Sequence, residues 1–134
     1  MTLEAALEQR VAQTAGLRDL FASVGFGGRI EGLPALVFQI VADPRPQHFK
    51  GFQRSRPTQV QADVYAETQA EAAELREACI THLVPSARIG TVNFGRATID
   101  NVRSGGEPEQ SGERQRYRGE IGRESIDFTF LHNA

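Results

Sequence analysis

The segment TQVQADVYAETQAEAAEL, from Thr58 to Leu75, constrains the fold more than any other part of the chain. Its first half alternates. Gln59, Gln61, Asp63, Tyr65 and Glu67 take one parity; Val60, Ala62, Val64 and Ala66 take the other. That pattern builds a strand with one polar face and one face of small apolar groups. At Thr68 the period changes. Thr68 and Glu71 have capping-box spacing, in which the threonine hydroxyl accepts from the N–H of Glu71 and the glutamate reaches back to the N–H of Thr68. The helix that follows places Ala72, Leu75, Cys79 and Leu83 on one face, with Ile80 on its flank, and stops near Pro85, which disfavours helical geometry in the residue before it. Small residues on the strand let such a helix approach closely, so the expected core is this helix against the Val60–Ala66 face.

The remaining elements follow from period and punctuation. Thr2 is an N-cap for a helix whose Leu3, Ala6, Leu7 and Val11 form a narrow apolar stripe. Gly16 interrupts it, and GLRDLF reads as a short second turn packing Leu17, Leu20 and Phe21 inward. GFGGRIEGLP has the glycines of a phosphate loop but not its Lys-Ser/Thr ending, and no strand precedes it; a tight connection with a short strand around Arg29–Ile30 is expected. ALVFQIVA, Ala35 to Ala42, is β-branched and aromatic and reads as a central strand entered through Pro34. RIGTVNFGRATIDNVRSGG reads as one or two strands, Glu107 to Arg114 as a polar turn, and RQRYRGEIGRESIDFTFLH as a long terminal strand or bent pair, with Gly119 and Gly122 marking a bulge or bend. The order predicts one domain over residues 1–134: α+β, a mostly antiparallel sheet with two helices packed on it.

Chemistry is sparse. The formal net charge of -2 argues against a nucleic-acid coat or a membrane-surface binder. The single cysteine excludes an intramolecular disulfide, and with no apolar run of membrane length or signal-peptide pattern the expected compartment is a reducing cytoplasm. His48, His82 and His132 have no metal-ligand spacing, so no metal or cofactor is expected. Cys79, on the helix stripe, reads as core rather than nucleophile. Asp63 and Glu67 have the option of an acid–base pair, but pairing with arginines of a neighbouring strand is the better reading. Nothing marks an enzyme.

The segment from Asp43 to Pro57, DPRPQHFKGFQRSRP, stands out. It joins two strands expected to be neighbours, yet it is far longer than a hairpin turn requires. Arg45, Lys50, Arg54 and Arg56 make it basic, and Phe49 and Phe52 lie between them. Aromatics interleaved with guanidinium groups suit burial in a protein partner, and the basic character alternatively suits DNA phosphates.

In order and spacing, the N-terminal helix, GGRI, LPALVFQI, the arginine-rich loop and VQADVYAETQAEAAEL resemble the tail terminator, or tail completion, family of long-tailed phages and related gene transfer agents. The resemblance covers roughly residues 3–103. It implies a small α+β subunit of a hexameric ring at the head-proximal end of the tail tube, contacting the tail-tube protein and a neck or head-closure (stopper) protein, with DNA only passing through the lumen. It also implies a place in the virion after assembly in the bacterial cytoplasm, no catalysis, no cofactor and no membrane. The family supplies no motif of functional residues. The interface expected here is therefore the loop residues Arg45, His48, Phe49, Lys50, Phe52, Arg54 and Arg56 together with Gln61, Asp63 and Tyr65 on the polar strand face. Another head–tail connector such as a head-closure protein, or a cytoplasmic ligand-binding or enzyme-accessory domain, remains an alternative.

Overall fold

The computed structural model describes residues 1–27, 30–45, 47–48, 51–52, 55–105 and 121–134. The chain is α+β. Helix α1 spans Leu3–Gln13, α2 Ala15–Arg18 and α3 Gln69–Leu83. The strands are β1 (Ser23–Phe26), β2 (Ala35–Ala42), β3 (Gln47–His48), β4 (Gly51–Phe52), β5 (Arg56–Ala66), β6 (Ala87–Ile89), β7 (Val92–Phe94), β8 (Thr98–Ser104) and β9 (Gly122–His132). Seven of them form one sheet in the order β1-β2-β5-β9-β7-β6, with β8 also paired to β9; β3 and β4 form a separate two-stranded sheet. All pairs are antiparallel except β1 with β2.

The Thr58–Leu75 segment behaves as its pattern requires. Val60, Ala62, Val64 and Ala66 are buried on one side of β5, under α3. The Thr68 hydroxyl accepts from the N–H of Glu71 at 3.1 Å. Ala72, Leu75, Cys79 and Leu83 are the buried face of α3. Thr2 caps α1 by accepting from Ala5 at 3.1 Å, and Leu3, Ala6, Leu7 and Val11 turn into the same core. The aromatic layer comes from β9 and β7: Phe128 stacks on Phe130 at 5.1 Å, and Phe94 meets Phe130 edge-on at 5.8 Å.

Three expectations are corrected. The first strand lies at Ser23–Phe26, not around Arg29–Ile30. Val24 and Phe26 have the alternation that reaches the core, Phe26 lies 5.2 Å from the Phe38 ring, and Gly27 then turns the chain at a positive φ of 62°. Ile30 is outside any strand, and Arg29 is outside the described residues. Leu20 is exposed, because α2 ends before it and only Leu17 is fully buried. The segment after α3 makes three strands rather than one or two: Gly90, at φ 59°, closes the β6–β7 hairpin, and β8 then takes the edge of β9 that β7 leaves open. ALVFQIVA is a central strand as expected, paired on both sides, with β1 and β5.

Gly122 marks neither a bulge nor a bend. A Cβ there would lie 2.3 Å from the carbonyl oxygen of Thr68 and 2.5 Å from the Cα of Gln69, so the glycine lets β9 begin directly against the first turn of α3. Gly119 and the segment Glu107 to Arg114 lie outside the described residues.

Candidate functional site

The most distinctive feature outside the core is an arm. β2 and β5 are antiparallel neighbours, and the chain between them makes a hairpin of its own, in which β3 pairs with β4 through Gln47↔Phe52 and His48↔Gly51. The segment expected to be a loop is thus a small hairpin, and Arg56 and Pro57 belong to β5. Pro57 sits beyond the last β2–β5 pair, Ala42↔Gln59, where a missing N–H costs least. A bulge between Ile40 and Ala42 shifts the register at the foot of the arm.

A polar network fixes that foot. The Asp43 carboxylate accepts from Arg45 Nη2, Arg56 Nε and Thr58 Oγ1, each at 2.8 Å. Burial alone would raise the pKa of Asp43. The hydrogen bonds from Arg56, Thr58 and Arg45, with the charge of Arg56, outweigh it and bring the pKa down to about 2. Thr58 Oγ1 also lies 2.6 Å from Nε2 of His132 on β9. Because the Thr58 proton is committed to Asp43, the imidazole must donate from Nε2 and the threonine oxygen accept. Nδ1 then accepts from the N–H of Ala134 at 3.0 Å. The chain of donors fixes the neutral Nε2–H tautomer. Burial first, then Arg56 and Arg45, push the His132 pKa down to about 4 against the opposing pull of Asp43. Arg56 Nη1 also donates to the Ala134 carbonyl oxygen.

Of the residues expected at an interface, Arg45 and Arg56 are brought together here. The side chain of Arg45 is 59% exposed and that of Arg56 only 14%. Phe49, Lys50, Arg54 and the side chains of His48 and Phe52 lie outside the described residues. The polar face of β5 is not uniformly wet, as its alternation suggests. Asp63 and Tyr65 are buried. Asp63 accepts from Ser125 at 2.5 Å and from Gln61 at 3.1 Å, and Arg123 of β9 stands 3.5 Å away. The same guanidinium lies over the Tyr65 ring at 5.6 Å. The expected pairing of Asp63 with an arginine of a neighbouring strand is therefore present, and the accessible part of this face is Gln59 with half-buried Gln61.

Three buried polar groups escape a reading by motif. Glu124, 1% exposed, accepts from Arg76 of α3 at 2.5 Å, from Ser104 of β8 at 3.0 Å and from Gln69. Its signal was its parity: it shares the inward side of β9 with Ile126, Phe128 and Phe130. Arg10, on the apolar stripe of α1, donates from Nη2 to the carbonyls of His82 at 3.1 Å and Pro85 at 2.6 Å, and so satisfies the end of α3. It also lies 5.1 Å from the Phe94 ring centre. His132 is the third. By contrast Cys79 is inert: burial pushes its thiol up to about 12. Among the described residues no three His, Cys, Asp or Glu side chains converge as a metal site, and no helix is long and apolar enough to cross a membrane.

No protein-family model matches the sequence, and no curated protein matches it. Among solved structures the chain is similar to a chain of the virion of a native gene transfer agent (GTA) particle. The TM-score is 0.66 at 13% identity, and the match covers 98% of this chain and 95% of that one. At that identity the likeness speaks for the fold.

Proposed function

We propose that this chain is a non-enzymatic structural component of a phage-like virion and, more finely, its tail terminator: a ring subunit that caps the head-proximal end of the tail tube and joins it to the neck. The observation that carries this reading is the likeness to a virion chain over nearly the full length of both molecules. It coincides with the independent resemblance of residues 3–103 to tail terminators. The arm supports it in physical terms, since a separate hairpin inserted between two sheet strands and held by a part-buried network at its foot suits contact with a neighbouring molecule. The partners in this reading are further copies of the chain, the tail-tube protein and a neck protein, with DNA passing through the ring.

The test is the position of the chain in particles from producing cells. A reconstruction should contain this fold as a closed cyclic ring between tube and head. A single copy per particle, a two-fold dimer, or a location at the far end of the tail would overturn the terminator assignment.

A further inference from the structure

Among the described residues, two groups of exposed apolar side chains lie on opposite faces of the sheet. The first is at the root of the arm. Pro57 and Leu131 are direct cross-strand partners on the face turned away from the helices, since their neighbours Thr58 and Phe130 point into the core. Leu131 is 47% exposed, and its neighbour Gly95 has no side chain to cover it: a Cβ there would stand 3.6 Å from the leucine. Val41, at the bulge of β2, is 58% exposed at the same end of the sheet. Among the described residues, Arg45, 59% exposed and paired with Asp43, presents a guanidinium beside this cluster.

The second cluster is on β8. Ile99 and Val102 pair with Phe128 and Ile126, so they lie on the helix side of the sheet, yet they are 38% and 39% exposed. Among the described residues on this side, the more exposed charge beside it is Glu77, at 63% against 22% for its partner Arg76. Arg76 reaches from Glu77, at 2.8 Å, to Glu124, whose same oxygen takes the Ser104 hydroxyl of β8, and this brings the exposed Glu77 carboxylate to the β8 flank of α3.

We propose that these are the two halves of one contact between copies of this chain: the Val41–Pro57–Leu131 root of the arm docks on the Ile99–Val102 flank of β8 in the next copy, with Arg45 facing Glu77. Each half is apolar at its centre and charged at its rim, with opposite signs. Because the halves lie on opposite faces of the sheet, the contact is heterologous, so it propagates from copy to copy and ends only by closing a ring. The proposal rests on the ring of the previous section but names the surfaces that make it.

The test uses cysteine pairs, since the buried Cys79 thiol does not compete. Leu131→Cys and Val102→Cys are introduced singly and together, and both purified protein and particles are treated with a short bis-maleimide. The double variant should give a ladder of cross-linked multimers, and each single variant only monomer. An equimolar mixture of the two single variants should give dimer. Dimer from either variant alone means a two-fold contact and overturns the proposal. So does the absence of a ladder in particles that contain the chain, an outcome that leaves the virion assignment standing. A chain absent from particles removes that assignment, and the ladder from purified protein then decides the contact by itself. Val41→Ala should leave folding unchanged and reduce the ladder.

Discussion

Glu124 of β9 and Arg76 of α3 meet at 2.5 Å with the carboxylate almost wholly buried and the guanidinium at the surface. This asymmetry predicts which partner matters. Removing the arginine leaves a buried charge that, among the described residues, Ser104 and Gln69 still solvate, so Arg76→Met should cost about 3 kcal/mol, the lower end for breaking a buried pair. Arg76→Met combined with Glu124→Met should recover most of that loss, because no charge is then left in the core. Urea midpoints of the two variants and the wild type check it; a double variant no more stable than the single one would contradict the argument.

The His132 network predicts a dependence on pH. The ring has a pKa of about 4 in the folded chain, below the ordinary histidine value of about 6.5. Above that ordinary value it is neutral in both states and contributes nothing. As pH falls toward 4 the unfolded chain takes up a proton that the native chain refuses, so stability falls, by about 3 kcal/mol once pH is below the folded value. The depressed Asp43 acts in a second window, between its ordinary value near 3.8 and about 2, where protonation removes stability that is present at higher pH. NMR should show His132 as the Nε2–H tautomer down to pH about 4, and His132→Gln should flatten the stability profile in the upper window.

Gly122 tolerates no side chain. Its missing Cβ faces the backbone of Thr68 and Gln69, which cannot swing aside. Gly122→Ala should cost about 1–3 kcal/mol, the range for overpacking, with the loss felt first in hydrogen exchange at the start of α3. Gly16→Ala, whose Cβ would meet the movable His82 ring first, should cost less.

Replacing His48 to Gln53 with a short Gly-Ser turn removes the tip of the arm but leaves Asp43, Arg56, Thr58 and His132 in place. Thermal unfolding should stay near the wild-type midpoint, while particle yield falls and unjoined heads and tails, or overlong tubes, accumulate. Normal numbers of infectious or transducing particles would show the arm to be dispensable.

Where one period governs a segment, the sequence reads directly: β2 runs from Ala35 to Ala42 as its composition requires, and the capped α3 starts and stops where Thr68 and Pro85 put it. What stays hidden is decided by partners distant in the chain. Asp63 and Tyr65 look like solvent-facing residues until Arg123 and Ser125 of β9 arrive beside them. Glu124 and Arg10 look like surface charges until α3 supplies an arginine for one and two orphan carbonyls for the other. The arm was visible as excess length between two strands, but its inner pairing was not, because strands as short as β3 and β4 carry no period.

The position of β9 has a consequence for how the molecule is made. β9, which follows every other described strand in sequence, lies at the middle of the sheet, joined to β5 residue for residue from Arg56↔His132 to Ala66↔Gly122. Phe128 and Phe130 of β9 fill the core that β5 and α3 enclose. On the ribosome, everything through α3 is therefore exposed before the strand that completes its core has been synthesised. Closing the core waits on a contact of long sequence separation, which folds slowly. In that interval the unpaired edge of β5 is open to any strand nearby.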